Sequence, residues 1–95
     1  MELKLNEIVE KISRNRRVEA IFLFGSQING RARKDSDVDI CVLTKNSNEN
    51  EEWDINSEGD DKFEIHIFRK LPLIIQFRVI NEGKILFIRD KEYVR

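Results

Sequence analysis

The stretch Val18–Phe24 is nearly all apolar, is rich in branched and aromatic side chains, and stops abruptly at Gly25-Ser26. A run of this length and kind reads as a central strand buried on both faces. It therefore demands cover on both sides, and the rest of the chain must supply it. Before it, Ile8, Val9 and Ile12 are spaced for one face of a helix over 6–13, with Leu5 just ahead and a basic break at 14–17. After Gly25-Ser26 a short helical turn is expected through Ala32. Residues 38–43 then alternate as a second strand, with Val38, Ile40 and Val42 on one face and Asp37, Asp39 and Cys41 on the other.

The second half is less uniform. Residues 45–61 are polar, acidic and rich in Asn, and read as an exposed loop. Residues 62–68 alternate again, with Phe63, Ile65 and Ile67 opposite Glu64, His66 and Phe68. A helix is predicted over 71–82, with Pro72 tolerated in its first turn and Gly83 as its C-terminal stop. Ile74, Phe77 and Ile80 or Asn81 fall on its neighbouring turns. Residues 85–88 form a last short strand before a charged tail.

Ninety-five residues suffice for one domain, 1–95, and are too few for two. So small a domain has a modest core, which leaves room for a partner chain or an oligomer. With 17 basic and 18 acidic residues, the overall balance argues against a mainly electrostatic nucleic-acid binder. No apolar stretch is long enough to span a bilayer and no signal-peptide core is present, so the expected location is the cytoplasm. Cys41, the single cysteine, lies in an apolar run and reads as a small packed side chain.

The chemistry concentrates between Phe24 and Ile40. A buried strand delivers Gly25-Ser26 into a turn that opens a helix. Glycine there lets backbone approach a ligand, and the helix start offers unpaired N–H groups to phosphate oxygens. The Ser26 hydroxyl adds a further donor. Asp37 and Asp39, two apart on a strand, project from one face about 7 Å apart along the strand. Two carboxylates on a mostly apolar strand repel each other unless a cation lies between them. Oxygen ligands of this kind suit Mg²⁺ or Mn²⁺. Two such ions about 3.5–4 Å apart can hold a triphosphate and polarise an attacking hydroxyl. Alone, Gly-Ser is an ordinary turn and Asp-x-Asp an exposed strand edge; the weight lies in their joint spacing.

Gly25-Ser26, ten residues, then Asp37-Val38-Asp39 resembles the signature of the DNA polymerase beta-like nucleotidyltransferase superfamily. With Gly30 and Ser36 also in place, the pattern is similar to its smallest branch, the minimal nucleotidyltransferases (MNT proteins). The leading helix and the closing stretch 80–90 share the likeness. The resemblance implies an α/β (α+β) nucleotidyltransferase fold, a small mixed sheet backed by helices. In it Gly25 and Ser26, with Ser36 beside them, would hold ATP, and Asp37 and Asp39 would bind Mg²⁺. A third carboxylate is expected on the strand after the acidic loop. Glu64 is the choice, as metal ligand and base, because alternation separates it from the apolar set; Asp60 and Asp61 are rivals in the loop. Two departures stand out: Asn29 occupies a position where relatives often carry arginine, so that a basic phosphate contact is either missing or supplied by Arg31 or Arg33, and the third acid is commonly aspartate.

MNT proteins typically pair with a HEPN-domain toxin and act as its antitoxin, some by adenylylating the toxin. The resemblance thus implies AMP transfer from ATP to a HEPN partner. The rivals are a non-catalytic antitoxin that works by contact, and transfer to a small molecule. His66 reads as an ordinary strand histidine or as a contact to the site or nucleotide. Trp53 reads as a loop anchor packed on the domain or as a partner contact.

Overall fold

The computed structural model describes residues 2–24 and 38–89. Helix α1 (Glu2–Ser13) leads into strand β1 (Val18–Phe24), followed by β2 (Val38–Thr44), α2 (Glu49–Asn56), β3 (Phe63–Ile67), α3 (Leu73–Glu82) and β4 (Lys84–Ile88). A single 3-10 turn, Phe68–Lys70, links β3 to the segment before α3. The four strands form one mixed sheet in the order β3-β2-β1-β4. Strand β1 runs antiparallel to both β2 and β4, and β2 runs parallel to β3. The apolar run expected at the centre of the sheet is there.

Both faces of that strand are covered. On one face Ile8 and Ile12 of α1 and Ile55 of α2 pack over Val18, Ile21, Val38, Ile40, Val42, Phe63 and Ile67. On the other, Val79 of α3 closes over Ala20, Phe22 and Cys41, with Phe24, Leu43, Phe68 and Ile75 around them. Strict alternation would put Val18 with Ala20, yet it faces α1. A register shift between Val18 and Ala20 accounts for this: Val18 pairs with Thr44 and Ala20 with Leu43. One extra residue in a strand turns its neighbour to the opposite face. Arg89 pins the irregularity, donating from Nε to Val18 O at 2.8 Å, while its backbone N–H donates to Glu19 O at 2.9 Å.

Two expectations need correction. The loop predicted over 45–61 contains the helix α2. Its eight residues show little apolar periodicity and bury only Glu52 and Ile55, so hydrophobic spacing gave no sign of it. Its start is nonetheless written in a capping box: Asn48 accepts from the Glu51 N–H at 2.8 Å and the Glu51 side chain accepts from the Asn48 N–H at 3.1 Å. Trp53 therefore sits on a helix, 70% exposed, and is not an anchor into the domain. The helix over 71–82 begins later, at Leu73, with Pro72 as its N-cap, and ends at Gly83 as expected. Its inward residues are Ile75 and Val79, four apart, while Leu73, Ile74, Phe77 and Ile80 stay exposed. The helix carries apolar side chains all round, and spacing alone cannot select the stripe that faces the sheet.

Candidate functional site

The site is assembled where β1 ends and β2 and β3 begin. In the parallel β2–β3 pair, Asp39 is in register with Glu64 and Cys41 with His66. Side chains paired across parallel strands leave the sheet on the same face, so four polar or sulfur-bearing residues share one patch. Cys41 lies deepest. It is fully buried, and burial pushes its thiol up from 9.0 to about 12. That leaves about 10³-fold less thiolate at a given pH than an ordinary cysteine has. The expected result is that Ellman's reagent leaves Cys41 untouched in the folded protein and modifies it once denaturant is added. Rapid reaction of the native protein would contradict the packing.

The other three residues reach the surface together. His66 Nε2 lies 3.2 Å from Asp39 Oδ1 and 3.8 Å from Glu64 Oε1. One ligand atom from each residue falls within 4.8 Å of the others. Asp39 and His66 are half-buried, whereas Glu64 is more exposed and free to adjust. The Phe24 ring stands edge-on to His66, with centroids 5.5 Å apart and planes at 69°, and walls the imidazole on the β1 side. Carboxylates and an imidazole converging from adjacent strands are a donor set that fits a divalent ion.

Of the residues expected from the sequence, Asp39 and Glu64 are brought together. Gly25, Ser26, Ser36 and Asp37, and the helical turn expected through Ala32, lie outside the described residues. The rival Asp60 is engaged elsewhere. Its Oδ1 accepts the Lys62 and Phe63 N–H groups at 2.8 and 3.0 Å, and its Oδ2 pairs with Lys4 Nζ at 2.5 Å. The Lys4 ammonium, with those two N–H groups, holds its carboxyl down at about 2. Asp60 thus fastens the start of β3 to α1. Sequence reasoning placed His66 on the face of Glu64 but did not foresee its contact with Asp39. That contact depends on the parallel β2–β3 register, which alternation within one strand does not contain.

Four strands in this mixed order, with helices on both faces, make the small α/β architecture that the resemblance implies. The chain belongs to the polymerase beta nucleotidyltransferase family, which it matches over residues 6–92. It is 34% identical over 71 residues to MJ1547 of Methanocaldococcus jannaschii, a protein provisionally named a protein adenylyltransferase. That match takes in 75% of this chain but 57% of MJ1547, so the chain spans little more than half the relative's length. Among solved structures it resembles a toxin–antitoxin complex crystallised with AMP-PNP. There the TM-score is 0.67 at 24% identity, over 90% of this chain and 75% of the other. A complex of a tri-AMPylated Shewanella oneidensis HEPN toxin with an MNT antitoxin gives a TM-score of 0.65 at 24% identity, over 98% of this chain and 76% of the other. These two likenesses establish the fold.

Proposed function

We propose that the chain is a divalent-cation-dependent adenylyltransferase that moves AMP from ATP onto a hydroxyl of a HEPN-domain toxin, and so acts as its antitoxin. The observation that carries this reading is the in-register placement of Asp39 beside Glu64 near the starts of β2 and β3. Family membership supplies the reaction class. MJ1547 and the toxin–antitoxin complexes support the choice of AMP as the group moved and of a protein as its acceptor.

Within this reading Gly25, Ser26 and Ser36 would cradle the triphosphate, and Asp37, Asp39 and Glu64 would hold Mg²⁺, with two ions expected. The ions, when bound, neutralise phosphate charge and stabilise the leaving pyrophosphate. Glu64, the more exposed of the paired acids, accepts the proton of the acceptor hydroxyl. The hydroxyl oxygen bonds to the α-phosphorus as the bond to the bridging α–β oxygen breaks, and pyrophosphate departs. The partner must supply the hydroxyl. The apolar residues Leu73, Ile74, Phe77, Ile80 and Ile85 form surface that such a partner would cover.

The test is incubation of the chain with ATP, Mg²⁺ and a HEPN-domain toxin that co-purifies with it, read by intact mass of both proteins. The expected result is a partner heavier by one or more adenylates, with the change abolished in Asp37→Asn/Asp39→Asn. Toxin neutralised without any mass change, equally well by the double variant, would establish a contact inhibitor instead. Turnover on small hydroxyl compounds without a protein partner would move the acceptor to that class.

A further inference from the structure

The geometry points to His66 as a direct nitrogen ligand of the ion held by Asp39 and Glu64, making that position selective for a transition ion such as Mn²⁺ over Mg²⁺. This inference rests on the proposal that Asp39 and Glu64 bind metal, and it adds a residue and a selectivity that three carboxylates would not provide.

An ion held about 2.0–2.2 Å from each of its ligands, at angles near 90–110°, separates neighbouring ligand atoms by about 3.0–3.4 Å. Asp39 Oδ1 and His66 Nε2 are already 3.2 Å apart. Glu64 Oε1 is 3.8 Å from the same nitrogen and the three ligand atoms span up to 4.8 Å, so Glu64, whose side chain is 56% exposed, must swing inward to complete the set. Without an ion, Nε2–H donates to Asp39 Oδ1. With one, the imidazole proton would reside on Nδ1, leaving the Nε2 lone pair free to bind the ion. Phe24 limits the ring's freedom from the other side, so little ordering remains to be done on binding.

The chemistry of the donor set then decides which ion is favoured. Mg²⁺ prefers an all-oxygen octahedron and keeps several waters, and imidazole is a poor ligand for it. First-row transition ions accept mixed nitrogen and oxygen sets, with Mn²⁺ the least demanding of them. Replacing an oxygen by Nε2 therefore raises affinity for Mn²⁺ relative to Mg²⁺. Cys41, on the same face of β2, is not in the set, because its side chain is fully buried beneath the patch.

His66 is the single histidine of the chain, so imidazole nitrogen bound to a metal has one source. The test is pulsed electron paramagnetic resonance on the full, tag-free chain loaded with substoichiometric Mn²⁺. Electron-spin-echo modulation from a directly bonded ¹⁴N is expected in the wild type and absent in His66→Gln. Calorimetric titrations of both proteins with Mn²⁺ and Mg²⁺ provide the second readout. The preference for Mn²⁺ should fall in His66→Gln by at least the 10- to 100-fold that losing even a supporting partner of a metal site costs. Mn²⁺ bound without ¹⁴N modulation would overturn the role of His66 and leave Asp39 and Glu64 as oxygen ligands. No Mn²⁺ bound by the wild type would sink both this inference and the metal site beneath it. The wild-type spectrum decides without any variant, so a His66→Gln chain that fails to fold does not rescue the idea.

Discussion

Asp39→Asn is expected to lower kcat/KM for nucleotidyl transfer by about 10³-fold while leaving the fold intact. Asparagine keeps the volume and the Oδ1 acceptor that faces His66 Nε2, so the local packing between β2 and β3 survives. What it removes is the negative charge on which the proposed cation binding at this position depends. Charge stabilisation by a bound divalent ion contributes several kcal/mol to a phosphoryl-transfer transition state. Each 1.36 kcal/mol corresponds to tenfold in rate, which sets the expected scale. The measurement is single-turnover transfer from α-labelled ATP over a range of Mg²⁺ and Mn²⁺ concentrations, with circular dichroism as the check on folding. A variant that retains wild-type rates at saturating metal would remove Asp39 from the reaction.

Much of this architecture was legible in the sequence because local physical rules agreed. The apolar run Val18–Phe24 could only be a central strand, and it has cover on both faces. Alternation in 62–68 put Glu64 on the polar side of β3, and the structure sets it beside Asp39. What stayed hidden depends on pairings between distant segments. The contact of His66 with Asp39 spans 27 residues and exists only because β2 and β3 are parallel and in register. The shift at Val18–Ala20 sends Val18 to the α1 face against the simple period of two. In α3, which is apolar all round, the inward stripe is set by the sheet it meets and not by the helix itself.

The helix α2 escaped notice for a different reason: its inward face is ionic. Residues 49–61 look like a solvated acidic stretch, yet Glu52 is fully buried. Its carboxylate receives Arg69 Nε at 2.5 Å and Nη2 at 2.7 Å, Lys70 Nζ at 3.3 Å and the Ser47 hydroxyl at 2.7 Å. A carboxylate removed from water is costly unless its charge and lone pairs are matched, and here all are. Arg69 and Lys70 belong to the turn that follows β3, so this one side chain ties α2 to the strand that carries Glu64 and His66. No hydrophobic pattern reports such a tie, because one partner looks like surface acid and the other like surface base.

Glu52→Gln should accordingly destabilise the fold markedly, although the residue lies outside the apolar core. The Arg69 guanidinium, above all, holds the Glu52 carboxyl down from 4.5 to about 2. A group whose folded-state pKa is depressed stabilises the fold fully above its unfolded value. That stabilisation is lost as pH falls through the folded value. The full shift corresponds to stability of at most about 3 kcal/mol at neutral pH, and about 2–3 kcal/mol is the expected range. The lower end is favoured because Arg69 and Lys70, 52% and 49% exposed, can turn to water once the carboxylate is gone. In a chain of this size that is a fall in Tm of roughly 10 °C. The decisive feature is the pH dependence. Urea unfolding of wild type and Glu52→Gln should show a constant gap from pH 7 to about 5, narrowing steadily from about 4.5 towards 2 as the carboxyl of the unfolded wild-type chain takes up a proton that the folded chain still refuses. A gap that stayed constant through the acid range would mean that Glu52 matters for its shape and not its charge. The tie between α2 and the turn after β3 would then be steric, and the ionic account of this helix would fail.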